Sequence, residues 1–156
     1  MSVKHITQIH INAPPKLVYE IIISLITGNL PVDQPAKVRS RTSNVIIAEL
    51  KSKGGFRVYS TIDKFTLSPY RRISFEQIEG PLLSNRGEIN LTEIEDGTDL
   101  EFHGEFVGSV IPVIGYLVET INVRPIYTAV ITRHLLRIQT IAESRTGRQP
   151  SVPHTP

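Results

Sequence analysis

The chain contains no cysteine and no tryptophan, a single methionine, and only five phenylalanines and five tyrosines in 156 residues. Without cysteine there are no disulfides, no thiolate metal sites and no sulfur nucleophile. That fits a reducing cytoplasm, which is the expected location. An excess of one charge is also lacking: 17 Lys and Arg face 15 Asp and Glu, for a net charge of +2. The basic residues are scattered rather than gathered into the patch that marks a nucleic-acid binder, so nucleic acid is not an expected partner. No apolar run approaches the ~20 residues of a membrane span. The longest, "GSVIPVIGYLVETINV" at 108–123, is interrupted by Pro112 and Glu119, and the alternating N-terminus lacks the apolar centre of a signal peptide. The sequence has no Gly-x-Ser-x-Gly, no His-Glu-x-x-His and no phosphate-cradling Gly-x-x-x-x-Gly-Lys.

Alternation is abundant. Val3, His5, Thr7, Ile9 and Ile11 share one parity over 3–11, which predicts a strand. "NAPP" ends it, with Asn12 able to cap and a proline suited to the start of a helix. Leu17, Val18, Ile21, Ile22 and Leu25 then recur at helical spacing until Gly28-Asn29. A proline-rich connection follows, with room for one helical turn. Strand-like runs succeed one another at 37–41, 44–51, 56–67, 71–79, 83–95 and 98–107. They are separated by short turn signals that favour antiparallel hairpins. From about 113 to 143 the period lengthens to that of a helix. Tyr127, Ile131, Leu135, Ile138 and Ala142 lie on one stripe, joined by His134, and Pro125 is expected to kink the helix.

These elements predict an α+β domain in the order β-α-α-β6-α. A curved antiparallel sheet of about seven strands would wrap around a long C-terminal helix. Residues 1–144 form the single domain, and the polar, proline-bearing end at 145–156 is expected to be disordered. If the sheet curls strongly, one helix cannot fill its concave face everywhere, which leaves room for a ligand.

Four stretches carry a family resemblance: "INAPPKLVYEII" at 11–22, "SPYRRISFEQIEGPL" at 68–82, "GEINLTEIEDGTDLEF" at 87–102 and "VRPIYTAVITRHLLRI" at 123–138. Together they resemble the START-like, or SRPBCC, superfamily with its helix-grip fold. The nearest types are the polyketide cyclase/dehydrase and coenzyme Q-binding proteins. The resemblance implies a cavity for an apolar or partly aromatic small molecule, with no cofactor and no universal catalytic residue. Where members of the superfamily carry tryptophan, this chain has Tyr19 and Ile89.

Parity selects the candidate cavity residues. Phe102 and Phe106 share the apolar side of 98–107, with Gly104 leaving space beside them. Phe75 and Gln77 share a side of 71–79, together with Ile73 and Glu79. Gln77 could bond a ligand carbonyl or hydroxyl, or equally a backbone group at the strand end. Over 56–67, Phe56, Val58 and Ile62 have one parity and Phe65 and Leu67 the other. A bulge near Asp63-Lys64 would reconcile them and turn Val58, Ser60 and Ile62 inward. Without a bulge, Tyr59 and Asp63 face in instead. Ile89, Tyr127, Ile131 and His134 complete the set. His134 is either a polar cavity residue or a histidine bonded to a loop. Glu101, His103 and Glu105 stand in a row on the opposite face, where solvation explains them better than a metal does.

The expected function is binding or transport of an apolar small molecule such as a lipid, quinone or polyketide-like compound. One alternative is an enzyme of cyclase or dehydratase type, with His134 or Gln77 polarising a carbonyl. Another is a protein-interaction module, with homodimerisation left open, built on an apolar surface of the first helix and the "GSVIPVIGYLV" segment around Ile114, Leu117 and Val118.

Overall fold

A computed structural model describes residues 2–32, 35–54, 57–108 and 124–147. The elements are β1 (Val3–Ile11), α1 (Pro15–Ile26), β2 (Lys37–Arg41), β3 (Val45–Gly54), β4 (Arg57–Ser68), β5 (Arg72–Glu79), β6 (Ser84–Ile94), β7 (Gly97–Val107) and α2 (Arg124–Arg145). The seven strands form one sheet in the order β1-β7-β6-β5-β4-β3-β2, and every neighbouring pair is antiparallel. Five successive hairpins build β2 to β7. The chain then closes the order by pairing β7 with β1, and α1 carries it from one edge of the sheet to the other. Among the described residues one helix, not two, stands between β1 and β2. Residues 113–123 of the expected long helix lie outside the described residues, as do Phe56, the Gly55 half of one turn signal, and the tail beyond Gly147. Pro125 sits in the first turn of the described part of α2, where its missing N–H breaks no bond of that part.

Strand periodicity set one face of the sheet. Ile46, Ala48, Phe65, Leu67, Ile73, Leu91, Leu100, Phe102 and Phe106 are all buried, and the strand registers place them side by side. Edge strand β2 is exposed throughout. Its Lys37, Arg39 and Arg41 discourage pairing with another sheet edge.

The entry to α1 departs from expectation. Pro14 occupies the capping position and no side chain caps the helix. The Asn12 side chain accepts a bond from His10 at 2.9 Å. Its backbone N–H donates instead to Glu143 Oε2 at 2.8 Å, and the buried Thr98 hydroxyl donates to Ala13 O at 2.6 Å. The corner is therefore held by the far ends of β7 and α2 rather than by its own side chain.

The sheet curls. α2 packs against β1, at one edge of the order, and also against β3, near the other, as well as against α1. A flat sheet could not bring both flanks to a single helix. α1 then fills one end of the concave face with Val18, Ile21 and Ile22, all buried. α1 packs against β6 and β7, and in the sheet core Ile46, Ile73 and Leu100 are each 0% exposed. Toward the other end the inner residues Leu50, Tyr59, Thr61, Phe75, Gln77 and Asn85 are only half-buried.

Candidate functional site

The half-plugged concave face is where the candidate residues can be placed. Phe102 and Phe106 are buried on it, and Phe75 lies stacked on Phe102 with ring centroids 5.6 Å apart. Ile89 pairs with Phe102 and is half-buried. From the helix, Tyr127 stacks on Phe106 at 4.4 Å and meets His5 edge-on at 6.0 Å. Ile131 and His134 continue the same helix stripe inward by one and two turns. Ring contacts and strand register thus bring together Phe75, Ile89, Phe102, Phe106 and Tyr127; Gln77 shares a strand parity with Phe75, and Ile131 and His134 share the helix stripe of Tyr127.

Val58, Ser60 and Ile62 are not part of this group. β4 alternates without interruption, so Tyr59, Thr61, Asp63, Phe65 and Leu67 face in. Val58 is 51% exposed on the outer face, and Ser60 donates weakly to Glu49 there at 3.5 Å. The register irregularity does fall at Ile62/Asp63. The extra residue, however, belongs to the partner strand: Ile62 pairs with Glu79 and Asp63 with Gln77, which leaves Ile78 over. The bulge therefore displaces Ile78 and Glu79 on β5 and leaves β4 straight. Of the two arrangements open in the sequence, the one that turns Asp63 inward is adopted. Pattern alone could not assign the extra residue to one strand of the pair.

The space beside Gly104 is also taken. A Cβ there would collide with the Tyr127 hydroxyl and lie 2.8 Å from Phe102 Cε1. Glycine at this position lets α2 lay a tyrosine directly on the sheet, so Gly104 marks a helix contact rather than a void.

Polar groups line the half-buried end. The Tyr127 hydroxyl donates to Asn85 Oδ1 at 3.1 Å. The Gln77 amide donates to Leu82 O at 2.7 Å, so the backbone role foreseen for it is real for Nε2. Its other atom, Oε1, is buried with no partner among the described residues, and so is His134 Nδ1. Asp63, 5% exposed, accepts from the Thr61 hydroxyl at 2.6 Å. Burial pushes its ionisation up from 3.8 to about 6, and the Thr61 bond only partly opposes this. Burial pulls His134 down from 6.5 to about 4, helped by Arg137 and Arg133. The imidazole is thus neutral at pH 7, and although the ring keeps an exposed edge, Nδ1 is sealed. Burial raises the Tyr127 hydroxyl too, with the Asp63 charge adding to it. Asp63 carries no signal in the sequence beyond its parity.

The outer face is different in kind. His103 contacts Glu101, Arg86 lies 3.9 Å from Glu105, and no metal-binding cluster occurs among the described residues. Depressions of about 550 and 480 Å³ on described residues lie on this side, one over Lys64, Glu76 and Arg86 and the other at Arg71 and Arg72. No helix among the described residues is long and apolar enough to cross a membrane. The Ile114, Leu117 and Val118 surface lies outside the described residues.

A curled antiparallel sheet gripping a C-terminal helix, with an N-terminal helix plugging one end, is the helix-grip architecture. No family model matches the chain, and no curated protein matches it. Solved structures do. The di-domain ARO/CYC BexL from the BE-7585A biosynthetic pathway is similar at a TM-score of 0.72 and 14% identity, covering 96% of this chain and 51% of its own. The chain thus spans about half the length of that two-domain protein. The Zhui aromatase/cyclase from Streptomyces sp. R1128 is similar at 0.70 and 19% identity, covering 94% of this chain and 95% of its own. The STAR-related lipid transfer protein of Xanthomonas axonopodis (fragment 25–204) is similar at 0.56 and 14% identity, over 75% of this chain and 78% of its own. At these identities the likeness is one of fold, and the fold is shared by proteins with unlike activities.

Proposed function

We propose that the chain binds an apolar small molecule, of lipid, quinone or polyketide-like character, in the unplugged half of the concave face beneath α2. The observation that carries this reading is the pair of buried atoms that lack partners among the described residues, Gln77 Oε1 on the sheet and His134 Nδ1 on α2. A buried polar atom without a partner costs about 1–3 kcal/mol. A ligand that reaches both recovers that cost and gains orientation. Around them Phe75, Ile89, Leu50 and Ile131 keep accessible apolar surface. A ligand covering about 300 Å² of such surface gains on the order of 7 kcal/mol before the costs of association. The likeness to aromatase/cyclases and to a lipid transfer protein supports a small-molecule ligand of this kind.

Native mass spectrometry of freshly purified protein should reveal a retained adduct, and lipid or quinone fractions should raise the melting temperature. Bare protein mass together with an unmoved melting curve across those fractions would sink the reading.

Asp63 favours a second reading, a cyclase- or dehydratase-type enzyme. A carboxyl ionising at about 6 inside an apolar site is matched to general acid–base work near neutrality. For this reading, Asp63→Asn should abolish turnover of a poly-β-ketone mimic while leaving its binding in place. Unchanged turnover removes Asp63 from any such role.

A further inference from the structure

We infer that Asp63 and Gln77 together select ligands whose polar end donates hydrogen bonds, a hydroxyl or an ammonium group, and turn away ligands that end in a carboxylate. This rests on the binding reading above and adds to it the chemistry of the ligand's polar end.

The two side chains face each other across β4 and β5 in continuous register from the hairpin turn, and the bulge begins immediately beyond them at Ile78. The groups around Asp63 can be enumerated by element. β3 presents Ala48, β4 itself presents Thr61, β5 presents Gln77, and α2 contributes the Tyr127 hydroxyl, which feels the Asp63 charge. No Lys, Arg or His pairs with Asp63 among the described residues, so the buried carboxylate has no counter-charge there.

The hydroxyl donors of this group are already engaged, and so is one of the two Gln77 amide hydrogens. The Thr61 hydroxyl is used on Asp63 Oδ2, the Gln77 amide on Leu82 O, and the Tyr127 hydroxyl on Asn85. Beside the second Gln77 N–H, what remains is acceptor capacity: Gln77 Oε1, buried without a partner among the described residues, and Asp63 Oδ1, which takes no hydrogen bond from the described residues. Two acceptors and one uncompensated negative charge are complementary to a donor. A ligand carboxylate would bring more acceptors and a second negative charge into a water-poor site, where like charges repel strongly.

Four probes with a common apolar body test this: naphthalene, 2-naphthol, 2-naphthylmethanamine and 2-naphthoate. The chain has no tryptophan, so naphthyl fluorescence reports binding directly. At neutral pH, 2-naphthol and the amine should bind about tenfold more tightly than naphthalene, and 2-naphthoate about tenfold more weakly. Asp63→Asn should raise 2-naphthoate toward naphthalene and remove the advantage of the amine. Gln77→Leu should weaken 2-naphthol and leave 2-naphthoate nearly unchanged. Each variant is first checked for a cooperative melt, and the ranking of the four probes on the unaltered chain stands as a test whether or not a variant folds. Binding of all four to the unaltered chain within about threefold overturns the selection and leaves the small-molecule reading intact. Tightest binding of 2-naphthoate overturns it too. If none of the four probes binds, the small-molecule reading falls, and the selection with it.

Discussion

Asp63 and His134 should nearly cancel each other's effect on acid stability, and removing either one should expose the other. Asp63 ionises at about 6 in the folded chain against 3.8 for the free group. Between those values the folded state holds more protons than the unfolded one, so stability falls as pH rises through the window. At 1.36 kcal/mol per pH unit, its favourable contribution is fully present below about 3.8 and is lost by about 6, a change of about 3 kcal/mol. His134 runs the other way. It ionises at about 4 when folded and 6.5 when free. The unfolded state therefore takes up the proton first, and stability is lost as pH falls from 6.5 toward 4. That loss is also about 3 kcal/mol, and somewhat less because the ring keeps an exposed edge. Asp63→Asn should therefore unmask a steep loss of stability on acidification from about 6.5 to 4. His134→Phe should instead gain stability across the same interval. Urea unfolding at several pH values, with the unaltered chain subtracted, isolates both effects, because the background of surface carboxylates is common to all three proteins. At neutral pH, Asp63→Asn should itself be stabilising, since it removes the cost of burying a charge. If Asp63→Asn follows the same pH course as the unaltered chain, then Asp63 is not held in the environment described.

Gly104→Ala would place a methyl against the Tyr127 hydroxyl and the Phe102 edge. It should cost about 2 kcal/mol through overpacking, read as a lowered urea midpoint at unchanged slope; a neutral result would mean that α2 does not rest on β7 there. Thr98→Val removes the buried bond to Ala13 O at an expected cost of about 1–2 kcal/mol. It should increase hydrogen exchange at the β1–α1 corner, and unaltered exchange there would contradict the role given to that bond.

Much of the fold was legible because its elements are strongly periodic. The edges of β1 and β2 match the alternating runs at 3–11 and 37–41, and the other strands shift by a few residues at most. The helix stripe of Tyr127, Ile131, Leu135, Ile138 and Ala142, joined by His134, was also readable, and Tyr127, Leu135, Ile138 and Ala142 on it are buried. The reading failed where two neighbouring elements had to be known together. The register mismatch in 56–67 was visible, but whether β4 or its neighbour carried the extra residue depends on how the two strands pair. Val58, Ser60 and Ile62 were placed inward for that reason alone. Asn12 has the chemistry of a helix cap, yet its backbone is satisfied by Glu143, 131 residues away. Gly104 looked like spare room because nothing in its own strand announces that a helix tyrosine will occupy it.

The sequence by itself determined the alternation, the order of strands and helices, and the apolar stripe, because each is set by local spacing: two residues per repeat in a strand and 3.6 in a helix. Only the tertiary structure decided that Asp63 is buried opposite Gln77, that His134 Nδ1 and Gln77 Oε1 lack partners among the described residues, and that α1 fills one end of the concave face and not the other. Hydrogen-bond satisfaction and the ionisation of a buried group depend on every neighbour in three dimensions, and those neighbours come from segments scattered along the whole chain.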